Sequence, residues 1–140
     1  MPLLQTSGNV TADAYGGGVA AVPNYIEDVF STYLYTGNGS TQTITNGIDL
    51  AGKGGLVWVK SRANAYNNWL TDTARGPLNM LSSNLTDANA NSGLGVSAFN
   101  ANGFTLDGNN QLNPTGSTMT SWTFRKQPKF FDVVTYTGDG

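Results

Sequence analysis

Histidine and cysteine are both missing from this chain of 140 residues. Without histidine, the Ser-His-Asp and Cys-His systems of nucleophilic catalysis cannot be assembled. Without either residue, the usual zinc sites lose their ligands. Disulfides and thiol chemistry are excluded as well. The sequence therefore predicts neither a cofactor nor a metal site, and it favours a protein that is not an enzyme.

Charge is scarce: only 11% of residues are charged, against about 25% in an ordinary domain. The net charge is −2 and no basic cluster is visible, so binding to nucleic acid is not expected. The sequence holds no apolar run long enough to predict a membrane span. Its N-terminus lacks the basic and apolar regions of a secretory signal, which predicts assembly in a cytoplasm.

Neutral polar residues supply the surface instead, chiefly Gly (18 residues), Asn, Thr and Ser. Threonine favours strands, while glycine and asparagine tolerate the backbone conformations of tight turns. This composition is typical of extracellular and virion β-proteins. It predicts a domain of short strands and turns.

A segment near the start of the chain recurs near its end. Val29–Gly39 and Phe130–Gly140 are related by a constant offset of 101, and five of their eleven positions are identical. Repeats of this kind set the architecture of a chain. They predict a module over residues 29–126, followed at 127–140 by a hinge and the first strand of a second repeat. That strand is expected either to join the first sandwich at its edge or to mark where order fails.

Residues 1–28 show neither helical nor strand periodicity, which predicts an extended, irregular N-terminal arm. The arm is read either as a linker or as a segment that becomes ordered on a partner. Its apolar residues favour the second reading, and Leu3, Leu4, Val10, Tyr15, Val22 and Tyr25 are the candidates for that contact.

Between the two repeats, short β-rich runs recur about every ten residues. Gly54–Lys60 is apolar on both faces and predicts a central strand, Asn46-Gly47 predicts a type I′ turn, and Val96–Leu106 predicts a hairpin. Thr118–Arg125 alternates cleanly and predicts the last strand of the module. Seven to nine such strands indicate an all-β antiparallel sandwich. The core aromatics are predicted to be Trp58, Phe104, Trp122 and Phe124.

Three groups of polar residues are candidates for a site. Tyr66, Asn67, Asn68 and Trp69 mix aromatic and amide groups, as glycan contacts do, although Trp69 also suits the core. Asp72 and Arg75 form either a ligand-facing ion pair or a turn anchor. Asp107–Asn110 suits calcium or, more simply, a turn.

The carboxylates Asp49, Asp72, Asp87 and Asp107 each stand beside turn or polar residues, where aspartate caps backbone amides. A pair of them arranged for glycoside hydrolysis is therefore not expected.

Several stretches together resemble a recurrent module of tailed-phage virion proteins from marine and cyanobacterial phages. The matching stretches are Val29–Gly39, Gly54–Arg62, Asp72–Gly76, Leu81–Asn84, Phe99–Leu106, Trp122–Arg125 and Phe130–Gly138. The resemblance implies a lectin-like (concanavalin-type) jelly-roll sandwich. It assigns no binding residues.

With the arm and the repeat, this resemblance suggests the N-terminal, virion-attaching part of a tail fibre or appendage protein. The implied location is the virion tail, and the implied assembly is a homotrimer. The arm would bind other tail proteins, such as an adaptor or nozzle, and distal modules would recognise host surface glycans. Two alternatives stay open: a glycan-binding module in its own right, and a capsid decoration or horn-like protein.

Overall fold

Eight strands and two helical turns form the fold in the computed structural model, which describes residues 23–140. The helical turns are α1 (Ile26–Val29) and α2 (Leu50–Lys53). The strands are β1 (Phe30–Thr36), β2 (Gln42–Thr45), β3 (Gly55–Ser61), β4 (Trp69–Asp72), β5 (Met80–Ser82), β6 (Val96–Asn100), β7 (Gly103–Leu106) and β8 (Thr118–Arg125).

The strands pair into two antiparallel sheets. One sheet has five strands in the order β1-β8-β3-β4-β5, and the other has three in the order β2-β7-β6. The all-β antiparallel prediction is confirmed, and the arrangement is β-sandwich-like. Strand β3 lies at the centre of the larger sheet, as its two apolar faces predicted. The β6–β7 hairpin and the bounds of β8 are confirmed as well.

One apolar cluster joins the two sheets. The larger sheet contributes Tyr35, Val57, Val59, Met80 and Met119. The smaller sheet contributes Ile44, Val96, Phe104 and Leu106, and the segments between strands add Ile48, Leu50 and Leu112. Full burial of one such side chain contributes about 2–3 kcal/mol, so this cluster is the principal source of stability.

The predicted aromatic core is only partly right. Phe104 is fully buried and is confirmed. Trp58, Trp122 and Phe124 are partly exposed and point away from the cluster, so their assignment to the core is wrong. Strand β8 instead turns its small or flexible side chains inward, because Met119 shares the buried face with Ser121 and Thr123. The alternation along β8 separated its two faces correctly. The face with the large aromatic side chains was predicted to be the inner one, but it is the outer one.

The predicted type I′ turn at Asn46-Gly47 is also wrong. Gly47 has a positive φ of 85°, but Asn46 does not have the positive φ that this turn requires. Strand β2 pairs with β7, not with the next strand along the chain. The Asn46 side chain instead accepts a hydrogen bond from the Ile48 amide and donates one to Thr123. The dipeptide therefore lies where the chain passes from the smaller sheet to the larger one.

The structure differs from prediction at both ends of the described chain, where an irregular arm and a second copy of the first strand were expected. Residues Ile26–Asp28 are part of α1, so the arm predicted for residues 1–28 is not irregular throughout. At the other end, Phe130–Gly140 forms no strand beyond an isolated bridge between Gln127 and Phe131. The repeated segment therefore does not join the sandwich as an edge strand.

Candidate functional site

The predicted glycan loop does not present its four residues on one surface. Trp69 lies in β4 on the core side, where its ring packs against the apolar cluster. Its indole Nε1 donates a hydrogen bond of 3.0 Å to Gln111 Oε1. Tyr66, Asn67 and Asn68 lie in the preceding loop and are partly exposed. Trp69 is thus positioned as a packing residue, apart from the other three.

Two of the loop amides belong to a hydrogen-bonded cluster. Asn84 donates from Nδ2 to Asn67 Oδ1 at 3.0 Å and accepts at Oδ1 from the Asn68 backbone amide at 2.9 Å. Asn68 Oδ1 accepts from Trp58 Nε1 at 3.1 Å. These bonds fix the loop against the outer face of the larger sheet, and they make Trp58 the aromatic partner that Trp69 was predicted to be.

Trp58 and Trp122 stand directly opposite each other on β3 and β8. Their ring centroids are 5.3 Å apart and the rings are tilted by 57°. Both side chains are partly exposed on the outer face of the five-stranded sheet. Exposed tryptophan beside amide and hydroxyl groups can stack on the apolar face of a sugar ring. Sequence reasoning missed this pair, because it forms between two strands that are distant along the chain.

A second aromatic group lies at the end of the same face. Phe30 and Phe124 have ring centroids 4.9 Å apart, and Phe131 stacks on Phe124 at 5.1 Å. Phe131 belongs to the C-terminal segment, so this segment covers part of the outer face. Beyond it, Val133–Tyr136 and the side chains of Asp72, Arg75 and Leu81 line a cleft of about 490 Å³.

An exposed ion pair accompanies the C-terminal segment. Lys126 Nζ and Asp132 Oδ1 are 2.9 Å apart. The hydrogen bond from Lys126, and then one from the Val133 backbone amide, lower the pKa of the Asp132 carboxyl from its ordinary value. Because the pair is open to solvent, it contributes only weakly to the stability of the docked segment.

Asp72 and Arg75 form a turn anchor. Asp72 is buried and accepts hydrogen bonds from the backbone amides of Ala74 and Arg75 and from the Arg75 guanidinium. Arg75 also donates to Asn89 Oδ1 and to the Leu70 carbonyl. The donors of the guanidinium are largely engaged within the domain, which favours the structural reading of this pair over ligand binding.

Two of the other candidate carboxylates, Asp49 and Asp107, also accept hydrogen bonds from backbone amides. Asp49 caps α2 through the Gly52 amide at 2.7 Å, and Asp107 accepts the Gly95 amide at 2.6 Å. In Asp107–Asn110, which suited calcium or more simply a turn, Asn109 Oδ1 accepts from the amides of Gln111 and Leu112. Asp87 is exposed. Within residues 23–140, no group of three or more Asp, Glu, His or Cys side chains is arranged to hold a metal ion.

The arm residues fall mostly outside the described part of the chain. Leu3, Leu4, Val10, Tyr15 and Val22 lie outside residues 23–140. Tyr25 is 59% exposed and precedes α1, where its carbonyl accepts a hydrogen bond from Asp28. Across the described residues, no helix is long and apolar enough to cross a lipid bilayer.

Comparison with known proteins gives one match. Residues 26–130 match the family model described as "Domain of unknown function (DUF7483)". No curated protein and no solved structure matches the chain. Since the matched range spans most of the sequence and includes all eight strands, this chain belongs to the DUF7483 family.

Proposed function

We propose that this protein is a structural module of a phage tail fibre or appendage, attached to the virion through residues 1–28. The single observation that carries the proposal is the second copy of the Val29–Gly39 sequence at Phe130–Gly140, which favours a chain assembled from repeated domains. The resemblance of residues 28–140 to tailed-phage virion modules supplies the location.

The chemistry of the described residues supports a structural role. Asp49, Asp72 and Asp107 accept backbone amides, and Arg75 holds a turn together. These side chains stabilise loops, whereas glycoside hydrolysis needs two carboxylates that face each other across a sugar bond. We further propose that the sandwich-like fold is a lectin-like jelly roll and that the protein assembles as a homotrimer. The arm would then bind virion tail proteins.

Purified particles of a phage that encodes this chain test the proposal. Antibodies against residues 29–126 should decorate the tail in electron micrographs, and a particle reconstruction should show residues 1–28 against tail subunits. Labelling of the capsid instead would favour a decoration protein. Absence of the chain from purified particles, when it is present in the lysate, would reject a virion role. Light scattering should give three chains per particle of the isolated protein.

A second candidate function rests on the partly exposed Trp58–Trp122 pair. We propose that this pair, with Asn68 beside it, contacts a glycan through ring stacking and amide hydrogen bonds. The Asn68 side chain already orients Trp58, so the ring needs little reorganisation on binding. This site replaces the contact first assigned to Tyr66, Asn67, Asn68 and Trp69.

Tryptophan fluorescence during titration with a panel of glycans tests this candidate. Binding should change the emission of the wild-type chain and should be lost in Trp122→Ala. Trp69→Phe is the matched control, because Trp69 packs on the core side of the same sheet. Unchanged emission across the panel at millimolar sugar would reject the candidate.

A further inference from the structure

Three of the five identical residues, Tyr35, Gly37 and Gly39, have strict structural roles in the first copy. Tyr35 is 8% exposed, and its hydroxyl donates a hydrogen bond of 2.7 Å to the Leu112 carbonyl. Its counterpart, Tyr136, is 90% exposed. A buried tyrosine with a bonded hydroxyl explains the residue type in β1, whereas nothing around Tyr136 requires a tyrosine there.

The glycines follow the same rule. A Cβ added to Gly37 would lie 2.2 Å from the Pro114 carbonyl oxygen, so only glycine fits at that position. Gly39 has a φ of 71° and faces Thr115, which also demands glycine. A Cβ on Gly138, the counterpart of Gly37, would meet nothing within 4 Å. The steric constraint that selects glycine at Gly37 is therefore absent at Gly138.

The residue between the two glycines keeps its side-chain acceptor in both copies. Asn38 Oδ1 accepts hydrogen bonds from Asn113 Nδ2 and from the Ser40 amide. Its counterpart, Asp139, offers carboxylate oxygens that can accept the same two bonds. The second copy thus keeps the acceptor, the tyrosine and both glycines that β1 and its turn use.

From these roles we propose that Phe130–Gly140 is a β1 strand for a second domain of this same fold. In that domain the segment pairs with a β8 strand, Tyr136 is buried, and Gly138 meets a loop carbonyl as Gly37 does here. The proposal does not depend on where the protein is located.

The linker determines how two such domains are arranged. Phe30 at the start of β1 lies opposite Phe124 at the end of β8, so the chain enters and leaves this domain at the same end. Five residues, Lys126–Phe130, separate the end of β8 from Phe131, a span of at most about 20 Å. The second domain is therefore held close to this end of the first.

Extending the native chain tests the proposal. Adding a copy of Ser40–Lys126 directly after Gly140 keeps the offset of 101 and supplies every strand of a second domain except β1. If Phe130–Gly140 serves as β1, the extended chain folds into two domains, and its calorimetric heat of unfolding about doubles, since this heat scales with the number of folded residues. Gly138→Val should abolish the added heat in the extended chain and leave the native chain unchanged.

A chain in which Val29–Gly39 replaces Phe130–Gly140 of the extended protein is the matched control. If this exact duplication doubles the heat and the native segment does not, the native segment is not a β1 strand and the proposal is overturned. If neither chain gains heat, a strand entering through this linker does not complete a second domain, which also overturns it. Added heat that survives Gly138→Val would contradict the assigned role of that glycine.

Discussion

Val29–Gly39 and Phe130–Gly140 carry nearly the same sequence pattern but differ in structure. The first contributes the edge strand β1, with Tyr35 buried in the core. The second forms no strand, and Tyr136 projects into solvent. The comparison teaches that a β-rich run followed by a turn signal has the potential to form a strand but does not form one by itself. A partner strand and a covering sheet must be present before the pattern becomes structure.

The largest expected difference between the copies comes from glycine substitution. Gly37→Val should destabilise the domain by about 3 kcal/mol or more, because its side chain would overlap the Pro114 carbonyl. Gly138→Val should change stability by less than about 0.5 kcal/mol, since the position is open. Urea unfolding of both variants measures this. Equal losses would show that the second copy is as constrained as the first.

Removing the tyrosine hydroxyls should give a smaller contrast. Tyr35→Phe leaves the buried Leu112 carbonyl without that partner, which should cost about 1–3 kcal/mol. Tyr136→Phe removes a solvated hydroxyl and should have no measurable effect on the free energy of unfolding. A Tyr35→Phe variant as stable as the wild type would argue against a required hydrogen bond.

The same burial predicts an alkaline dependence. Desolvation raises the pKa of the Tyr35 hydroxyl above its ordinary value of 10.0. The protonated form is therefore favoured by folding, and its contribution is complete below pH 10 and is lost as pH rises above that value, by at most about 1.4 kcal/mol per pH unit. Unfolding free energies measured between pH 9 and 11 should fall more steeply for wild type than for Tyr35→Phe. Tyr136→Phe, with its exposed side chain, should follow the wild-type curve.

The smallest effect concerns the C-terminal segment. Asp132→Asn removes the exposed pair with Lys126 and should raise amide hydrogen exchange at Gln127, Phe130 and Phe131, whose amides are hydrogen-bonded within this segment, by about two- to threefold. The pair contributes above the ordinary pKa of 3.8 and is lost as pH falls through the lower pKa of folded Asp132. Asp139→Asn is the control on the same segment. Unchanged exchange in Asp132→Asn would assign the docking of the segment to Phe131 alone.

Local patterns were sufficient for most strands and insufficient for the site. The β6–β7 hairpin was predictable because its strands are adjacent along the chain and Ala101-Asn102 between them suits a tight turn. The Trp58–Trp122 pair was not, because it depends on pairing between β3 and β8, which are distant in sequence. Trp69 was grouped with the glycan loop because it follows that loop directly in the sequence. Consecutive residues of a strand lie on opposite faces, and Asn68 accepts its hydrogen bond from Trp58 instead.

The sequence by itself determined the all-β composition, the positions of most strands and the presence of a second β1 pattern. Hydrophobic alternation and turn residues act locally, so they can be read along the chain. Only the tertiary structure decided which face of the larger sheet is covered, that β2 pairs with β7, and why Gly37 must be glycine. These features arise from contacts between distant segments, and no local pattern specifies which segments will meet.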